Sequence, residues 1–149
     1  GDEEAAAGER DRLYDIDCNS AERAARAFMR DRPIRPGLPL PHSEVRLPDD
    51  TDVSLKPGSG WRLLAFVAER CEPCQRDREA WQALGARVQL IPITLEPNQD
   101  YAKLMHTWDV RRLPTYVLVD GNDIVRGASP GLDSANLVAH VEAMLERWR

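Results

Sequence analysis

The chain has 149 residues, enough for one domain with a core of its own. At 42% apolar and 30% charged it has globular proportions, and no apolar run approaches the ~20 residues that span a bilayer. The net charge of −5 leaves no basic footprint for nucleic acid, and three cysteines are too few for a disulfide-stapled scaffold.

Residues 1–12 are acidic and Ala-rich, lack an apolar period, and read as a frayed start. Leu13 to Cys18 alternates briefly, as a short strand would. Asn19 or Ser20 caps a predicted helix from Ala21 to Arg30. Between Pro33 and Pro57 the density of proline excludes regular helix and predicts extended chain packed along the surface. Short strands fit at Val45–Leu47 or Val53–Leu55, and Pro57-Gly58-Ser59-Gly60 reads as a turn. The chain thus divides into an N-terminal extension, 1–58, and a module, 59–149. No initiator Met is present, and the reading expects that a signal or anchor has been removed upstream.

The module opens with a nearly continuous apolar run, Trp61 to Ala68, the pattern of a central strand covered on both faces. A helix is predicted from about Glu72 to Leu84, closed by Gly85. Val88 to Leu95 is the next strand, and Pro92 removes one ladder donor, so that side belongs at a sheet edge or a bulge. Pro97-Asn98 opens a helix with Tyr101, Leu104, Met105 and Trp108 on one face. Tyr116 to Val119 is a strand, Asp120-Gly121-Asn122 a hairpin turn, and Asp123 to Arg126 the antiparallel return. Asp133 or Ser134 caps a last helix whose apolar face is Leu137, Val138, Val141, Met144, Leu145 and Trp148. The order β, α, β, α, β, β, α predicts an α/β fold: a mixed sheet with helices on both faces.

The chemistry is concentrated in Arg70-Cys71-Glu72-Pro73-Cys74. A thiol on the first turn of a helix meets unpaired N–H groups and the positive end of the macrodipole, which stabilise its thiolate. Cys71 is therefore expected to be the exposed nucleophile, and Cys74, one turn in, the buried resolving thiol. Pro73 falls where a missing N–H is harmless. Arg70 favours the Cys71 thiolate, whereas Glu69 and Glu72 oppose it. A zinc site needs four ligands, and Cys18 with His42, His106 or His140 is the only completion the chain offers. A static disulfide in a binding or scaffold module is the other alternative. Cys18 itself reads as a buried small residue, a third redox partner or an intermolecular link.

These residues resemble the thioredoxin-like superfamily. The apolar strand running into Cys71-Glu72-Pro73-Cys74 is similar to that family's active-site signature, and Val110 to Thr115 is similar to its cis-proline segment. The resemblance covers 59–149. It implies a three-layer thioredoxin-like fold and a thiol–disulfide oxidoreductase, more a reductase than an oxidase. It implies that Leu113–Pro114 is cis and that this loop holds the substrate chain. It implies no cofactor and no metal, only protein thiol or disulfide substrates and a redox partner that resets the pair. Three positions depart from thioredoxin itself: Ala65 replaces a buried acid, Arg70 a tryptophan, and Glu72 a glycine. The Cys-Glu-Pro-Cys form resembles the ResA/TlpA group, whose long insertion this chain lacks. That likeness and the absent start imply a periplasmic or other extracytoplasmic location, with the cytoplasm as the alternative.

Overall fold

The computed structural model describes residues 34–55, 60–96 and 99–148. All of these fall in one compact unit, 33–149. The predicted strand at 13–18, the helix at 21–30, Cys18, most of the 57–60 turn and the Pro97-Asn98 helix start lie outside the described residues.

The central strand is β3, Arg62–Val67, and each of its six residues is buried. On one side it pairs in parallel with β4, Gln89–Thr94. On the other it pairs antiparallel with β5, Thr115–Val119, which pairs antiparallel with β6, Val125–Ala128. The four-stranded sheet has the order β4-β3-β5-β6, so β4 lies at an edge. The Gln89 and Leu95 amides donate inward, to Trp61 O at 2.9 Å and Val67 O at 2.7 Å. By alternation Pro92 faces outward, where its missing N–H interrupts no ladder.

Successive β3 side chains serve opposite faces. Leu64 and Phe66 join Ile91, Ile93, Val117 and Val119 in one core cluster. Helix α3, Ala102–Thr107, closes that face with Leu104, and Trp108 follows at its end. Ile34, Val45 and Leu55 belong to the same cluster. Val45 sits in β1, Glu44–Arg46, which forms a small antiparallel hairpin with β2, Asp52–Ser54. On the opposite face Leu63, Ala65, Val67, Tyr116 and Leu118 pack with Cys74, Leu84, Leu137 and Val141. Those four come from α1, Glu72–Arg76, α2, Arg78–Leu84, and α4, Leu137–Arg147. The result is three layers, helix on sheet on helix, as the pattern predicts.

The described elements differ locally from the predicted ones at three places. The helix expected over 72–84 is broken at Asp77, which ends α1 and precedes α2 with φ −81 and ψ −6. The hairpin return starts at Val125 rather than Asp123. The Asp120 carboxylate accepts the Asn122 and Ile124 amides, and Asp123 takes a left-handed φ of 62, so the turn is longer. Neither Asp133 nor Ser134 holds the N-cap position of α4, which falls to Asn136. Asp133 Oδ1 instead takes the Ala135 and Asn136 amides of the preceding turn, and the Ser134 hydroxyl is used elsewhere.

Candidate active site

The site lies beyond the C-terminal end of β3. Cys71 is the N-cap of α1, with φ −88 and ψ 105, and its Sγ accepts the Cys74 amide at 3.2 Å. Pro73 sits in the first turn, as its missing donor allows. Cys71 and Cys74 form a disulfide with their Cα atoms 5.2 Å apart. Cys74 is 3% exposed and packs into the core, while Cys71 is half-buried at its margin. The first cysteine is therefore the more exposed of the pair.

The register of β3 and β5 brings in the second half of the site. Phe66 pairs with Thr115, so the loop before β5 emerges beside the β3–α1 turn. The Thr115 hydroxyl donates to Arg112 O at 2.6 Å and holds that loop. The Leu113–Pro114 bond is cis, as is Ser129–Pro130. Leu113 packs against both core clusters, and on one of them it shares the surface with Cys71. Arg70, Glu72, Arg111 and Arg112 are exposed around this rim. Arg111 is tied to Asp109 at 3.0 Å. A groove of about 710 Å³ runs from Cys74 past Trp81 to the outward side of Leu90, Pro92 and Thr94 on the β4 edge.

Behind Cys74 lies a polar network that the sequence reading missed. Asp77 is 7% exposed. Its Oδ2 accepts the Tyr116 phenol and, at 2.7 Å, the Ser134 hydroxyl. The Tyr116 oxygen accepts the Trp81 indole N–H at 3.0 Å. Burial, and then the bond to Asp77, push the Tyr116 phenol well above its ordinary value, against the weaker opposing effect of Trp81. Tyr116 thus stays a donor throughout the neutral range. The one legible signal was Asp77 itself, three residues after Cys74 and so on its helix face. The partners come from β5 and from the turn before α4, and no local pattern announces them.

The histidines are not gathered at the cysteines. His42 lies against Trp108 with ring centroids 5.1 Å apart, on the face opposite Cys74, and burial lowers its pKa. His140 packs over Gly127, on α4 against β6. Among the described residues no group of three or more His, Cys, Asp or Glu side chains is placed to hold a metal.

No family model and no curated protein matches the sequence. Solved structures do match. A thiol:disulfide interchange protein from Bacteroides sp. aligns over 76% of this chain and 91% of its own, with TM-score 0.55 and 13% identity. A thioredoxin-like protein from Porphyromonas gingivalis aligns over 74% and 94%, with TM-score 0.53 and 19% identity. A thioredoxin family thiol:disulfide interchange protein from Chlorobium tepidum TLS aligns over 74% and 97%, with TM-score 0.50 and 19% identity. The chain has a thioredoxin-like fold.

Within that thioredoxin-like fold, Ala65 is wholly buried on β3 and carries no acid. Its cross-strand partner is Tyr116. Asp77, at the end of α1, is a buried acid on this face and reaches the sheet through the Tyr116 phenol.

Proposed function

We propose that this chain is a thiol–disulfide oxidoreductase that acts on protein substrates through Cys71 and Cys74, and that it runs chiefly as a reductant. The observation that carries the reading is the asymmetry of the pair: a half-buried Cys71 capping a helix and a buried Cys74 a turn behind it. Reduced Cys71, as thiolate, attacks a substrate disulfide and releases one substrate thiolate. Cys74 then displaces the second substrate sulfur and closes the Cys71–Cys74 bond, so two electrons pass to the substrate. Leu113 and Pro114 supply the adjacent surface for an extended substrate segment, whose backbone pairs beside Leu113. Asp77, on the Cys74 face of the helix, is the acceptor for the Cys74 proton. Arg70 and Glu72 bias the Cys71 charge in opposite senses. A separate redox partner resets the disulfide. The likeness of Cys-Glu-Pro-Cys to the extracytoplasmic group supports a periplasmic location. Residues 59–149 would form the catalytic module and 1–58 its extension.

The test is the reduction potential of the pair in glutathione buffers, with Cys18→Ser alongside. A reductant is expected near about −270 mV, and a value near about −120 mV would make the chain a disulfide donor instead. Cys71→Ser is expected to reduce exchange with a protein disulfide to background. Undiminished biological activity in that variant would favour a scaffold role, and stoichiometric metal on the purified protein would favour a zinc site.

A further inference from the structure

The sheet order β4-β3-β5-β6 gives the cysteine pair two different flanks. On the β4 flank Glu69 and Arg78 both line the groove that runs past Cys74, one charge of each sign. Around Cys71 itself Arg70 precedes the thiol and Glu72 follows it, and both are exposed. On the β5 flank Arg111 donates to Asp109 at 3.0 Å. The charges named at this rim therefore stand beside an opposite charge, with Arg112 as the exception.

Arg112 is exposed, and among the described residues its guanidinium has no hydrogen-bond or ion-pair partner. Its backbone, in contrast, is fixed on both sides. The Arg112 carbonyl accepts the Thr115 hydroxyl at 2.6 Å. The next residue, Leu113, packs against both core clusters and shares one of them with Cys71. The side chain is thus rooted one residue from the surface beside the exposed thiol, while its charged head stays open to solvent. A guanidinium is a planar fork that matches a carboxylate with two parallel hydrogen bonds. The chain as a whole carries a net charge of −5, so its overall field does not draw in an acidic partner. Any attraction by Arg112 is local, within about the 8 Å of a physiological Debye length.

We infer that the site prefers disulfides on acidic protein segments, and that Arg112 is the specificity-determining residue, pairing with a carboxylate close to the substrate cysteine. The inference rests on the exchange reaction and the Leu113 surface proposed above, and it adds the chemical class of the substrate. A segment extended beside Leu113 turns alternate side chains toward the loop, so a carboxylate within about two residues of the reacting cysteine comes within reach of the guanidinium. A lysine or arginine at that place meets a like charge instead and is disfavoured. Arg111 contributes less, because Asp109 already answers its charge. Arg70 contributes less as well, because Glu72 stands on the other side of Cys71 and repels the same carboxylate.

The experiment uses the full chain with Cys18→Ser, reduced, and two disulfide-linked peptide dimers that differ only in carrying aspartate or lysine beside the cysteine. Loss of each dimer is followed by chromatography after an acid quench. Every rate is divided by the same variant's rate with the neutral hydroxyethyl disulfide, so that a change in Cys71 reactivity cancels. The aspartate dimer is expected to react about tenfold faster than the lysine dimer at low salt, the sum of one exposed attraction gained and one repulsion avoided. In about 1 M salt, where the Debye length is ~3 Å, the ratio should fall below about twofold. Arg112→Gln should bring the low-salt ratio near one, and Arg112→Glu should invert it. Arg112→Lys, which keeps the charge and loses the fork, should retain a ratio of about threefold to fivefold. Arg111→Gln should shift the ratio by less than about twofold, as an already paired surface charge would. Equal rates for the two dimers in the parent chain would overturn the inference. So would a preference that survives Arg112→Gln, or one that salt does not weaken. A parent chain that fails to reduce even the neutral disulfide would instead remove the exchange reading itself.

Discussion

The two ends of β5 each bury a carboxylate, and the two are treated differently. At the C-terminal end Asp120 is 5% exposed. It meets the Arg126 guanidinium at 2.8 Å and the Asn122 and Ile124 amides at 2.8 and 3.1 Å. Burial alone would push its pKa up, but the Arg126 bond, the two amides and the Arg126 charge outweigh it and hold the group below its ordinary value. Nearby, Arg62 is wholly buried at the start of β3. It donates to the carbonyls of Leu55 at 2.5 Å, Gly60 at 3.3 Å and Asp120 at 3.1 Å, and to the Asp123 carboxylate. At the N-terminal end Asp77 has two hydroxyls and, among the described residues, no cation. A carboxylate locked by charge and amides pins a turn. One that takes two neutral hydroxyls on a single oxygen carries no such charge lock. The same residue type thus serves as a fastener at one end of the strand and as a candidate proton acceptor at the other.

Three substitutions sharpen that contrast, and urea unfolding measures each. Arg62→Met should be the most destabilising, by about 3 kcal/mol, because it strands buried carbonyls and the Asp123 carboxylate. Unchanged stability would mean that the fastening end is held by packing alone. Asp120→Asn should cost about 2 kcal/mol at neutral pH, the scale of charge-assisted hydrogen bonds. Because the folded-state pKa of Asp120 is lowered, its contribution is complete above the unfolded value of about 3.9 and is lost as pH falls through the folded value. Asp120→Asn should therefore flatten the acid side of the stability profile. A profile as steep as that of the wild type would assign the acid loss to other groups. Asp77→Asn should have the smallest effect, about 1 kcal/mol or less, since both hydroxyls can still donate to the amide oxygen. A loss as large as that of Asp120→Asn would erase the distinction between the two ends.

The elements were legible wherever one residue period ruled a segment. The unbroken apolar run of β3, the outward Pro92 of β4 and the 3.6-residue stripe of α4 each report burial directly, and the layers follow from their order. The pair Cys71 and Cys74 was legible because the chemistry is carried by residues in one helical turn. Asp77, Tyr116 and Ser134 were not, because they meet only after α1, β5 and the turn before α4 have packed together. Nor was the role of Arg62, which lies within an apolar run and is enclosed by the carbonyls of Leu55, Gly60 and Asp120 and by the Asp123 carboxylate.

By itself, then, the sequence determined the alternation of strands and helices, the helix-start thiol pair and the sheltering of its second sulfur, because each depends on spacing along the chain. The tertiary structure alone decided which carboxylate was neutralised by a guanidinium and which was left with hydroxyls. It also decided which acid stands behind Cys74. Those outcomes depend on which donors are brought within hydrogen-bond reach across the sheet, a distance that no local pattern encodes.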